Sequence, residues 1–389
     1  MGMIKDRLGQ LEQEGPVLKL NREKEFIYWL TRCPGVGAVN VKKAGERAGG
    51  FENVYYIEGT ELRRMGILRS EKQCLQFDRW KKELEPMRQE YHSLPEKGIR
   101  FVTPLDPEYP KRLGHIYDYP MGLYVKGELP KEEIPTAAVI GARNCTFYGK
   151  QSAEYISREL AGQGVQVISG LALGIDGAGH AGAVKGGGRT FAVLGCGVNI
   201  CYPKTNYRLF EQILEKGGII SEYAPQEEPC ARNFPVRNRI ISGLSDAILV
   251  IEARQKSGSL ITAQLGLEQG KDIYALPGRI TDPLSQGCNY LIRAGAGILT
   301  SPLDVLEDMG IFYEKQRISN KKDNKGLAKI EKMVYSCLDS EPRNPEQIAV
   351  LTGLSVSLCM SALLELELEL GGYAVRARGQ YYVQGMTNE

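Results

Sequence analysis

Residues 165–195 read VQVISGLALGIDGAGHAGAVKGGGRTFAVLG. Two short apolar runs, VQVIS and TFAVL, each end on a glycine, and the small residues between them carry a helix to about Lys185. Strand, helix and strand in that order form one crossover unit, which lays its two strands parallel. The same rhythm continues on either side. Upstream, AAVIG at 137–141 leads into RNCTFYG and a helix through about Gly162. Downstream, a long loop after Gly195 precedes a helix near Tyr207 to Lys216, and IISEY, AILVIEA and DIYALPG follow as apolar runs bounded by turn residues. Alternation of this kind, sustained from Ala137 to Gly278, predicts an α/β fold with a doubly wound parallel sheet.

The chain's 389 residues suggest two to three domains at about 150 residues each. Composition is that of a globular protein, 42% hydrophobic and 25% charged, and the 45 glycines fit many tight loops between strands and helices. A net charge of +2 excludes a generally basic coat, so a nucleic-acid partner would require locally concentrated positive charge. The first residues, MGMIKDRLGQLEQEG, lack the apolar core of a signal peptide, and no run approaches the roughly 20 apolar residues of a membrane span. A cytoplasmic protein without membrane association is expected. Nine cysteines without a C-x-x-C pair, and only His92, His115 and His180, form no zinc set, so reduced thiols and no metal are expected.

In a doubly wound sheet, ligands sit beyond the carboxyl ends of the strands. Here those loops hold Gly141-Ala142-Arg143, Ser169-Gly170, the segment from Gly195 to Lys204, Asn233-Phe234-Pro235-Val236-Arg237-Asn238-Arg239, and Ser257-Gly258-Ser259 with Thr262. Small residues at helix starts leave N–H groups free for an anion, and arginines add fixed charge with fork geometry for phosphate. The rim therefore reads as an anion trap. Arg143, Arg237, Arg239 and Lys204 are the expected phosphate partners. Ser169, Gly170, Ser257, Gly258, Ser259 and Thr262, with Asn233 and Asn238, are the expected hydrogen-bonding groups, and Phe234 offers a ring face to a base. Each has a structural alternative: Phe234 as a core aromatic, Arg239 paired with Asp246 or Glu252, Ser259 or Thr262 as a helix cap.

The anion is not a dinucleotide by this reading. The first loop is G-A-R-N-C-T rather than G-x-G-x-x-G, and G-x-x-x-x-G-K-[ST] is absent. Asp176 and His180 lie four apart on one helix face and would suit acid–base chemistry, but with no third partner the pair is expected to order a loop and a helix start. No catalytic constellation or cofactor is expected.

Residues 1–100 read as a small helical domain. The hairpin Pro34-Gly35-Val36-Gly37 between two helices resembles the helix-hairpin-helix group, and Lys42 and Lys43 follow it. A long solvated helix is expected over 73–96, and the Pro- and Tyr-rich stretch 101–127 is expected to run extended along the surface of the 101–312 domain. Residues 313–326 form a polar linker. Residues 327–389 read as three helices and a hairpin, resembling a winged helix-turn-helix. Its third helix, Ser355–Leu370, holds Glu365, Glu367 and Glu369 and no basic residue, with only Arg376 and Arg378 in the hairpin to offset them. A duplex would repel that surface, so a protein-interaction or dimer-adjusting module is expected.

GARNCTFYG, SGLALGIDGAGH, TFAVLGCGVNICYP, ISEYAP, NFPVRNRIISGLS, KSGSLITA, YALPG and SQGCNYLIRAGA, in this order between about Pro104 and Leu306, closely resemble the DNA-processing protein family DprA, also called Smf. The resemblance implies an extended Rossmann-like fold that binds single-stranded DNA, forms a homodimer, and loads the RecA recombinase onto incoming strands during natural transformation. The phosphoribohydrolases of the same broad fold supply an enzyme alternative. They carry P-G-G-x-G-T-x-x-E where this chain has Ser257 to Ala263, and their catalytic glutamate has no counterpart here.

Overall fold

The computed structural model describes residues 16–311, 329–338, 343–368, 374–377 and 381–384. The expected linker at 313–326, with Glu369 and Arg378, lies outside them. By compactness the chain divides into two units, Met1–Cys145 with Ser152–Ile311, and Thr146–Gln151 with Phe312–Glu389.

The first unit opens on α1 (Pro16–Thr31), α2 (Ala38–Ala48), α3 (Phe51–Tyr56), α4 (Gly59–Arg64), α5 (Glu71–Trp80) and α6 (Leu84–Ser93). The hairpin at 34–37 joins α1 to α2, with Gly35 at φ +80°, a conformation that only glycine adopts without strain. The single solvated helix expected over 73–96 is instead two helices separated by a 3-10 turn at Lys81–Glu83. The break places Pro86 in the first turn of α6, where its missing N–H leaves no helical bond unmade. The segment is solvated on one side only: Cys74 and Phe77 are buried, and the Trp29 and Trp80 indoles each donate to the other's backbone carbonyl at 3.0 Å. Buried indoles need such partners, and this exchange pins α1 to the end of α5.

The stretch 101–127 also differs from expectation. It contributes β1 (Arg100–Val102), a short α7 (Lys111–Gly114) and β2 (Leu123–Gly127), with both strands in the sheet rather than extended over its surface. Leu123, Tyr124 and Val125 are almost wholly buried, and that apolar run outweighs the prolines before it. The chain then alternates as read from the sequence: β3 (Thr136–Ile140), α8 (Phe147–Gly162), β4 (Gln166–Ser169), α9 (Ile175–Lys185), β5 (Thr190–Leu194), α10 (Tyr207–Lys216), β6 (Gly218–Ser221), α11 (Asn233–Gly243), β7 (Ala247–Val250), α12 (Gly258–Glu268), β8 (Asp272–Ala275), α13 (Gln286–Arg293), β9 (Gly297–Ile298) and α14 (Pro302–Asp308).

These strands form one nine-stranded sheet in the order β1-β2-β6-β5-β4-β3-β7-β8-β9. Strands β3 to β9 pair parallel, and β1 and β2 extend the sheet antiparallel beyond β6. Side chains alternate between the two faces, so neighbours enter different cores. Phe101, Ala192, Leu194 and Ile219 join the core of the N-terminal helices, whereas Val102, Val193 and Ile220 pack with Ile240, Ile248 and Val250 on the other face. The chain leaves β3 towards β4 on one side and returns after β6 to place β7 on the other. The strand order therefore reverses between β3 and β7, which opens a crevice beyond their carboxyl ends.

In the second unit, α15 (Lys329–Ser336), α16 (Pro345–Thr352) and α17 (Val356–Leu368) enclose Val334, Ile348, Cys359, Leu363 and Leu366, and β10 (Ala374–Ala377) pairs antiparallel with β11 (Tyr381–Gln384). Three helices and a hairpin is the winged-helix arrangement expected. Among the described residues no single helix is long and apolar enough to cross a membrane.

Candidate functional site

A cavity of about 660 Å³ lies at the β3/β7 crevice. The loop after β3 supplies Gly141 to Asn144, the loop after β7 supplies Arg254, the start of α12 supplies Ser257, Gly258, Ser259 and Thr262, and α11 supplies Phe234, Arg237, Asn238 and Ile241. The α11 set follows from helical spacing. Positions 234, 237, 238 and 241 share one face, whereas residues two apart point about 200° away from each other. Arg237 and Arg239 therefore cannot both face the cavity.

Arg239 corrects the expectation. It is 5% exposed and does not line the cavity. Its guanidinium lies 2.8 Å from Glu222 and 3.1 Å from Asp118, not against Asp246 or Glu252. Burial alone would lower its pKa, but the Glu222 and Asp118 charges raise it overall, so the cation is held inside. Burial in turn raises Glu222, with the Arg239 charge pulling the other way.

Arg237 lines the cavity floor at 4% exposure, with Nη1 donating to the carbonyls of Gly170 and Val193. Burial lowers its pKa, and the neighbouring Asp176 carboxylate acts in the opposite sense. It contributes charge from beneath the cavity rather than a free fork. Ser169 and Gly170 are likewise committed. The Ser169 hydroxyl donates to the Val139 carbonyl at 2.6 Å, and the Gly170 N–H donates to Asp176 Oδ2 at 3.2 Å. Buried donors find protein partners, so neither is left for a ligand. Asn233, 5% exposed, donates to Glu227 at 3.3 Å and accepts the Tyr223 hydroxyl on its carbonyl.

Asp176 and His180 part company on α9. Asp176 borders the cavity and receives the Gly170 N–H, and burial raises its pKa. His180 is fully buried with Nδ1 at 2.7 Å from the Thr190 hydroxyl. That hydroxyl gives its own proton to the Val167 carbonyl, so it accepts from an Nδ1–H.

The groups that remain accessible are Arg143, Asn238, Ser257 and Gly258, with Ser259 and Thr262 more deeply set. Asn238 donates to the Gly258 carbonyl at 3.4 Å and so ties α11 to the start of α12, and the Ser257 and Ser259 hydroxyls lie 2.9 Å apart. Lys204 is exposed and adjoins Pro203, which lines a smaller cavity of about 50 Å³, but is not among the residues lining either cavity. Sequence reading missed Arg254, an exposed cation on the cavity wall. Its signal was available: like Arg143, it stands just beyond the carboxyl end of a strand. Tyr202 falls within the rim loop Gly195–Lys204 read from the sequence but was not singled out there, since nothing in its local pattern sets it apart from the chain's other tyrosines.

A doubly wound sheet with a reversal crevice lined by two exposed arginines, a serine-rich helix start and an aromatic side chain defines a protein of the extended Rossmann class, here joined in sequence to a winged-helix unit. Comparison with known proteins specifies the class. The family model described as DNA recombination-mediator protein A matches residues 100–310, and that of the DprA winged helix domain matches residues 320–380. The DNA processing protein DprA of Streptococcus pneumoniae is 46% identical over 204 residues, 52% of this chain and 72% of that protein. Protein Smf of Escherichia coli is 38% identical over 293 residues, 74% of this chain and 78% of that protein. The X-ray structure of the S. pneumoniae protein superposes with a TM-score of 0.65 and 34% identity, covering 73% of this chain and 97% of that one. The chain belongs to the DNA recombination-mediator protein A (DprA/Smf) family.

Proposed function

We propose that the protein holds single-stranded DNA in the crevice cavity, and that as a homodimer it presents the bound strand to the RecA recombinase during natural transformation. The observation that carries this reading is the cavity wall itself, which exposed Arg143 and Arg254 share with the serine start of α12 and with Phe234, the Arg143 guanidinium lying 5.2 Å from the centroid of that ring. Cations for phosphate and a ring for a base suit an unpaired strand and do not discriminate sequence. The names of the relatives, DNA processing proteins, support DNA as the partner.

A binding role rather than hydrolysis is supported by two features. The turn at Ser257–Ala263 lacks the glutamate of the phosphoribohydrolases, and Asp176 and His180 are each engaged with different partners. In the test, RecA nucleation on single-stranded DNA is followed with and without the protein, beside a control with nucleoside monophosphates. Faster nucleation and no base release are expected. Unchanged nucleation would contradict the loading role, and base release would favour the enzyme.

A further inference from the structure

The Tyr202 ring lies 5.6 Å from the Phe234 ring, with 30° between their planes. Together the two rings form a partition. The large cavity and the small one both count Arg143, Ala172, Tyr202 and Phe234 among their walls. The small cavity, at about 50 Å³, has room for a few water molecules and not for a base.

Phe234 is enclosed on several sides. The Arg143 and Arg237 guanidiniums stand 5.2 and 5.9 Å from its centroid, and Gly195 approaches so closely that a side chain there would meet the ring at 2.8 Å. Tyr202, by contrast, is 42% exposed. Of the two rings Tyr202 is the more exposed, and Phe234, half-buried with cations at its face, backs it.

We propose that Tyr202 is the base-stacking platform of the site: a strand leaving the large cavity crosses the partition, one base lies on the outer face of Tyr202, and Arg143, which borders both cavities, takes the adjoining phosphate. This assignment rests on the reading of the cavity as a single-strand site. It transfers the principal stacking role from Phe234 to a residue outside α11.

The full-length protein is titrated with a labelled oligothymidylate and with an abasic oligonucleotide of equal length, which keeps every phosphate and removes the bases. The wild type prefers the thymidylate. Y202L keeps an apolar contact for Phe234 but has no π face, and its preference falls by roughly 5- to 150-fold, the usual worth of one stacked base. Y202F retains the preference, whereas R143A weakens both ligands alike. A Y202L protein with the wild-type preference, or a Y202F protein that loses as much as Y202L, overturns the platform while leaving the cavity as the strand's site. Retention of neither oligonucleotide by the wild type overturns both.

Discussion

Arg239 and Arg143 carry the same charge and do opposite things. Arg143 is exposed on the cavity wall, whereas Arg239 neutralises Glu222 inside the protein, with side chains 7% and 20% exposed. Removing one partner of such a pair strands the other, so Arg239→Ala is expected to cost about 3–5 kcal/mol of stability. A chemical denaturation curve should show that loss, with single-strand affinity intact in the fraction that remains folded. A stable Arg239→Ala protein that no longer binds DNA would restore Arg239 to the site. His180 gives a pH signature. Burial, assisted by the Arg237 charge, lowers its pKa to about 3, whereas an unfolded histidine titrates near 6.5. Between those values the unfolded chain binds the proton and the native chain does not. The contribution is therefore complete above pH 6.5 and declines as pH falls, by about 2 kcal/mol between pH 7 and pH 5. Unfolding free energies at the two pH values should show this fall in the wild type and a smaller one in His180→Gln.

Among the elements, the loop from β4 to α9 shows how the site is braced. Gly170 lies where a Cβ would come within 2.6 Å of Arg237 Nη2 and 2.7 Å of Asp176 Oδ2, both already bonded to this loop. Gly170→Ala is expected to destabilise by roughly 1–3 kcal/mol, as overpacking does, and to displace the cavity floor. A thermal melt superimposable on that of the wild type would show that the floor gives way freely. The alternating strands and helices were legible in the sequence because each strand is a short apolar run closed by a turn; helix α10 falls on Tyr207–Lys216, as its pattern indicates. Strands β1 and β2 were not, since their prolines and tyrosines mask partners that lie far along the chain. The loops of the site were legible from strand ends alone. Which side chains in them face outward was not, because that depends on helix phase at Arg237 and Arg239, and on buried acceptors such as the Val139 carbonyl and the Asp176 carboxylate.

At the scale of the whole molecule, each unit has its own core, and among the described residues those lining the cavity belong to the first. Helix α17 brings no lysine or arginine between Val356 and Leu368. A chain ending at residue 311 is therefore expected to keep most of the affinity for single strands, and a loss of more than about tenfold in a filter-binding assay would give the winged-helix unit a direct share. The central claim is that the crevice meets successive phosphates with accessible cations: Arg143 and Arg254 on the cavity wall, and exposed Lys204 beside Pro203, which borders the smaller cavity. The salt dependence of single-strand retention tests this most directly. Three cations predict that the logarithm of the binding constant falls with the logarithm of salt concentration at a slope of about −2, and that Arg143→Ala makes the slope shallower by about 0.7 without altering the melting temperature. A slope near zero, or one unchanged in Arg143→Ala, would contradict the account.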